Sequence, residues 1–124
     1  MQLVFLSDTH RLHDRIQVPD GDMVLHSGDF SGRGGKLETQ EFLSWYSALP
    51  HRHKVLIAGN HDFLCEREPQ LFRSMVPSNI IYLQDEEVTL EGLRIYGSPW
   101  QPEFFNWAFN LSRGPALDAV WSKI

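Results

Sequence analysis

The amino-acid sequence predicts an α/β (α+β) domain, and three observations carry that expectation. Three apolar runs, Leu3-Val4-Phe5-Leu6, Met23-Val24-Leu25 and Val55-Leu56-Ile57-Ala58, read as buried strands. An amphipathic helical stretch lies between the second and the third. Each run is followed at once by a polar cluster: Asp8-x-His10, Gly28-Asp29 and Gly59-Asn60-His61-Asp62. Three strands would deliver these groups to one end of a sheet, and open α/β sheets place their sites at the carboxyl ends of the strands.

The elements follow in order. Residues 2–6 and 22–26 are expected strands, with Pro19, Asp20 and Gly21 as turn signals between them. A Gly-rich loop, Ser31 to Gly35, leads into a helix over about residues 36–48, where Phe42, Trp45, Tyr46 and Leu49 recur at i, i+3, i+4, i+7. Pro50 stops that helix, and a third strand runs over about 54–58. A short helix follows, with Pro69 near its first turn and Pro77 just past its end. The pattern then turns antiparallel. Ile80-Ile81-Tyr82-Leu83 is a strand, and Val88-Thr89-Leu90, Glu91-Gly92, Leu93-Arg94-Ile95-Tyr96 is a hairpin with a two-residue turn. Glu86-Glu87 reads as an exposed strand edge that discourages further pairing. The aromatics of the loop from Pro99 to Phe109 are expected in the core. A last helix starts near Pro115 with Leu117, Val120, Trp121 and Ile124 on one face.

At 124 residues the chain is expected to form a single domain, residues 1–124. Eight Phe, four Trp and three Tyr are enough aromatic mass for a packed interior, which excludes a disordered chain. A formal charge of -5 argues against a broad basic surface for nucleic acid but not against a small phosphorylated substrate, because bound cations supply positive charge locally. The lone Cys65 forms no internal disulfide, and no apolar run nears the roughly 18 residues of a membrane span. With Met1 leading straight into a strand, the expectation is a cytoplasmic protein without membrane contact.

The three clusters contain what a dinuclear hydrolytic centre needs. Two divalent ions can clamp a phosphoryl group and activate water at neutral pH. If Asp8 and His10 leave their strand extended, both side chains face one way and reach one ion. Asp29 is the bridging carboxylate, and Gly28 lets its backbone approach closely. Asn60 would bind the second ion through its carbonyl oxygen. His61 would donate a proton to the leaving oxygen, with Asp62 either orienting its ring or capping the next segment. Singly, Asp8, Asp29 or Asn60 could each be a turn former; as an ordered set they point to a site.

These residues resemble the calcineurin-like metallophosphoesterases, whose opening motifs are D-x-H, G-D and G-N-H-[ED]. The likeness is closer still to the branch that includes the vertebrate brain metallophosphoesterase-domain proteins. It is carried by Ser7-Asp8-Thr9-His10, Leu25-His26-Ser27-Gly28-Asp29-Phe30, Ile57-Ala58-Gly59-Asn60-His61 and Ile95-Tyr96-Gly97-Ser98-Pro99-Trp100, then Phe109-Asn110-Leu111 and Arg113-Gly114. The resemblance implies the N-terminal part of a two-sheet β-sandwich flanked by helices. It implies a metal-dependent phosphoesterase that hydrolyses a phosphodiester, with a cyclic nucleotide as the candidate substrate. Asp8, His10, Asp29 and Asn60 would be ligands of two divalent ions, manganese, iron or zinc, and His61 would be the proton donor.

Family members continue with a strand bearing another His ligand and a G-H-x-H motif, neither of which is present before Ile124. The expectation is therefore a first metal with three protein ligands and a second with only Asp29 and Asn60. The competing expectation is a truncated, inactive module that binds metal or a partner, completed by a C-terminal chain or by homodimerisation. Among the other histidines, His26 reads as a hydrogen-bonded core residue, His13 as a loop residue, and His51 and His53 as a surface turn.

Overall fold

The computed structural model describes residues 1–124. Four strands, β1 (Leu3–Leu6), β2 (Met23–His26), β3 (His53–Leu56) and β4 (Ile81–Tyr82), form one parallel sheet in that spatial order. Helix α1 (Lys36–Ser47) makes the crossover from β2 to β3, and α2 (Phe63–Arg67) with α3 (Pro69–Met75) makes the crossover from β3 to β4. Parallel neighbours require such crossovers. The hairpin of β5 (Glu86–Leu90) and β6 (Leu93–Gly97) turns at Glu91 and Gly92, both with left-handed φ (50° and 80°). That is the backbone a two-residue hairpin turn requires. A short parallel pair, β7 (Gln101–Pro102) and β8 (Asn110–Leu111), precedes α4 (Pro115–Trp121).

Alternation along the parallel strands sorts side chains between two layers. Val4, Val24, Leu56, Ala58 and Tyr82 join Phe42, Leu43, Tyr46 and Phe72 of the helices in the main core. Met23 and Val55 face the opposite way with Leu83, against Val88, Leu90 and Ile95 of the hairpin. The result is a mixed α/β arrangement: helices on one face of a parallel sheet, an antiparallel hairpin on the other.

Several local expectations change. The strand around Ile81 pairs parallel with β3 and so belongs to the first sheet, because α2 and α3 together bring the chain back over the helical face. Helix α2 has only five residues, too few for a periodic pattern to reveal it. One expectation holds: Glu86 and Glu87 are exposed on β5, which pairs only with β6 and so keeps an open edge, and their carboxylates meet Arg73 and Arg94. Phe104 and Phe105 are 62% and 76% exposed, outside the core. His13 is buried against Phe42 and Trp45, and His51 is buried with Nε2 on the Pro19 carbonyl at 2.9 Å. On α4 Leu117 is buried and Trp121 is exposed, and Ile124, past the helix end, is exposed as well. No helix is long and apolar enough to cross a membrane.

Candidate functional site

The hydrogen-bond ladder of the sheet continues past the strand ends and sets the three clusters side by side. Beyond β1 and β2, the Asp8 N–H donates to the Gly28 carbonyl at 3.0 Å, His10 to Asp29 at 3.0 Å and Arg11 to Phe30 at 3.1 Å. Asp8, His10 and Asp29 all take left-handed φ (54°, 40° and 58°). Non-glycine residues rarely adopt that region, and such strain clusters where structure serves function. Asp8 and His10 therefore do not leave the strand extended. The left-handed turns still bring them together, with Asp8 Oδ1 3.5 Å from His10 Nε2.

Glycines permit the loops to touch. Gly28 has φ +98°, and a Cβ there would lie 2.6 Å from the Gly59 nitrogen. Gly59 needs no unusual φ, but a Cβ on it would collide with the Asp29 carboxylate and sit 2.6 Å from the Asp29 nitrogen.

His10, Asp29 and His61 converge: one donor atom from each lies within 4.8 Å of the others, all three half-buried. Both imidazoles are oriented by backbone carbonyls. His10 Nδ1 lies 3.1 Å from the Ser31 oxygen, and His61 Nδ1 lies 2.9 Å from the Gly32 oxygen. A carbonyl only accepts, so each Nδ1 carries the hydrogen and in the neutral ring each Nε2 keeps its lone pair, the arrangement typical of metal-binding histidines. Asp29 Oδ1 accepts the His61 N–H at 2.9 Å. Burial raises the Asp29 carboxyl above its ordinary range, opposed by that hydrogen bond and by the charge of His61.

Asn60 meets the same carboxylate. With its amide nitrogen turned inward it donates to Asp29 Oδ2 and Oδ1 at 2.8 and 3.0 Å. With its carbonyl oxygen inward, acceptors face one another, an arrangement that a divalent ion holds together. Imidazole, carboxylate and carboxamide groups of this kind can hold a divalent ion.

Asp62 neither orients His61 nor caps α2, as its carboxylate is fully buried and spent elsewhere. It accepts from the N–H groups of Asp29, Gly59 and Ser31 and from the Ser31 hydroxyl. Its expected catalytic role is corrected to a tie between the second and third loops. The ring-orienting role falls to the Gly32 carbonyl, which a sequence pattern does not mark because every residue has one.

Trp107 packs on His61 with ring centroids 4.1 Å apart, and Asn60 accepts the Ala108 N–H at 2.9 Å through its backbone oxygen. The aromatic loop thereby borders the site. An open cleft of about 510 Å³ beside it is lined by Arg33, Phe63, Phe104, Phe105, Asn106 and Trp107.

Comparison with known proteins shows the family. The sequence model described as calcineurin-like phosphoesterase matches residues 1–120. Metallophosphoesterase domain-containing protein 1 of Homo sapiens is 41% identical over 99% of the chain and 44% of its own length, and that of Mus musculus gives the same figures. A UPF0046 protein of Caenorhabditis elegans is 34% identical over 100% of the chain and 50% of its own length. The chain thus spans about half the length of the curated relatives it matches.

Proposed function

The chain belongs to the calcineurin-like phosphoesterase family, and we propose that it acts in the hydrolysis of a phosphodiester at a centre for two divalent ions. The observation that carries this reading is the convergence of His10, Asp29 and His61 within 4.8 Å, at the carboxyl ends of parallel strands. Asp8 and His10 would hold one ion, Asn60 the other, and Asp29 would lie between them. When bound, such ions neutralise charge on the phosphoryl oxygens and lower the pKa of water toward neutrality.

The remaining steps belong to the chain's own residues. His61, pinned through Nδ1 by Gly32, presents Nε2 to the reacting centre. In its protonated form that nitrogen delivers a proton to the departing alkoxide. The leaving portion of a small phosphoester would extend toward Trp107 and the adjoining cleft. A cyclic nucleotide is the substrate suggested by likeness to the vertebrate branch. The single buried thiol of Cys65 suits a reducing, cytoplasmic setting.

A second reading is favoured by Phe5, which is 67% exposed on the open edge strand β1. Exposed strand edges and apolar surface invite association. In that reading the chain is a metal- or partner-binding module completed by a C-terminal segment or a second copy.

The deciding assay is hydrolysis of a chromogenic phosphodiester with Mn²⁺, with Asp29→Asn beside the parent chain. Hydrolysis lost in the variant supports the enzyme. No hydrolysis by the parent chain favours the module, and unchanged hydrolysis in Asp29→Asn rejects the two-ion centre.

A further inference from the structure

We propose that His26 is a positioning residue: its ring holds the loop bearing Asp8 and His10 in register with the loop bearing Asp29. The proposal rests on the reading of those three residues as metal ligands. His26 ends β2, is 2% exposed, and packs edge-on against Phe42 with ring centroids 5.0 Å apart.

Both ring nitrogens are used, and their roles follow from chemistry. The Gly28 N–H can only donate, so Nδ1, 3.2 Å away, is the unprotonated, accepting nitrogen. Nε2 therefore carries the hydrogen and donates it to Thr9 Oγ1 at 3.0 Å. Thr9 lies between Asp8 and His10, and Gly28 immediately precedes Asp29. One rigid ring thus joins the two ligand loops through a neighbour of each ligand.

The same loops are joined by backbone bonds from Asp8 to Gly28 and from His10 to Asp29. Asp8, His10 and Asp29 all have left-handed backbones, which persist only where the surroundings over-determine them. The Thr9–His26–Gly28 bridge supplies part of that constraint. Val24, two residues earlier on the same face of β2, is buried apolar packing and can supply none.

The test uses Thr9→Val, which keeps the shape of the side chain and replaces the hydroxyl that His26 bonds with a methyl group. In the metal-free protein, amide exchange at Asp8 and His10 is expected to quicken about tenfold while the amides of β2 and β3 keep their rates. The Mn²⁺ dissociation constant, read by calorimetry, is expected to rise about tenfold, the lower end for outer-shell changes. Thr9→Ser, which keeps the hydroxyl, should restore both. His26→Asn can accept from Gly28 but is too short to reach Thr9, so adding Thr9→Val to it should change nothing further.

Unchanged exchange at Asp8 and His10 in Thr9→Val overturns the proposal. So does equal quickening in β2 and β3, which would mean a general loss of stability. If the parent chain binds no Mn²⁺, the metal-ligand assignment above fails separately, and the exchange rates alone decide whether the bridge holds the loops.

Discussion

The buried carboxylate of Asp62 accepts the backbone N–H of Asp29 at 2.8 Å, so the loop after β3 grips the loop after β2 at the residue expected to bridge two ions. The same oxygen takes the Gly59 N–H at 2.8 Å, and the other takes the Ser31 N–H at 3.1 Å and hydroxyl at 2.6 Å. Burial pushes the Asp62 carboxyl up to about 6, while the donated hydrogen bonds pull toward the charged form. Asp62→Ala strands the backbone N–H groups of Asp29, Gly59 and Ser31 in the interior. The expected loss is about 3–5 kcal/mol in urea unfolding. A loss under about 1 kcal/mol would show that water replaces the carboxylate.

Gly59→Ala tests close approach rather than conformational freedom. The added methyl would collide with the Asp29 carboxylate, so that carboxylate must move. Overpacking of this kind costs about 1–3 kcal/mol of stability. Mn²⁺ affinity should fall at least about tenfold, as for a displaced supporting group. Calorimetry showing parent affinity would mean that the loops part without cost to the site.

His61→Ala separates proton donation from metal binding, because His61 lies beside His10 and Asp29 and is the proposed proton donor. A general acid contributes about 10²–10⁴-fold where the leaving oxygen is basic, and little where it departs unaided. The expected result is a large loss of kcat/KM on an alkyl phosphodiester and a small one on a 4-nitrophenyl ester. Equal losses on both would assign His61 to the ligand set instead.

His26 makes stability depend on pH. Burial lowers its imidazole pKa to about 4, against an ordinary value of 6.5. Between those values the unfolded chain binds a proton that the folded chain refuses, so this contribution to stability falls as pH drops from about 6.5 and levels off below about 4. From pH 7 to 5 the loss is about 2 kcal/mol. Urea unfolding of the parent chain and His26→Gln over this range should give curves whose separation changes by that amount. Parallel curves would mean that His26 titrates alike in both states.

Much of the fold was legible locally. The strands at Leu3–Leu6 and Met23–His26, the helix at Lys36–Ser47 and the hairpin around Glu91-Gly92 follow from apolar runs, a 3.6-residue period and turn residues. The three polar clusters were legible as a group because each follows an apolar run, and parallel strands deliver such clusters to one end of a sheet.

What the sequence by itself determined is therefore which residues reach the carboxyl edge: Asp8, His10, Asp29, Asn60 and His61. Only tertiary structure decided how they are held. The left-handed turns at Asp8, His10 and Asp29, the Gly32 carbonyl on His61, the Asp62 tie and the His26 bridge join residues 17 to 33 positions apart or depend on backbone groups common to every residue. The parallel pairing of Ile81 and Tyr82 and the burial of His13 and His51 likewise depend on where distant elements return. Local pattern records a residue's own preferences; the identity of a partner across the core is set by packing and by the need to satisfy each buried polar group.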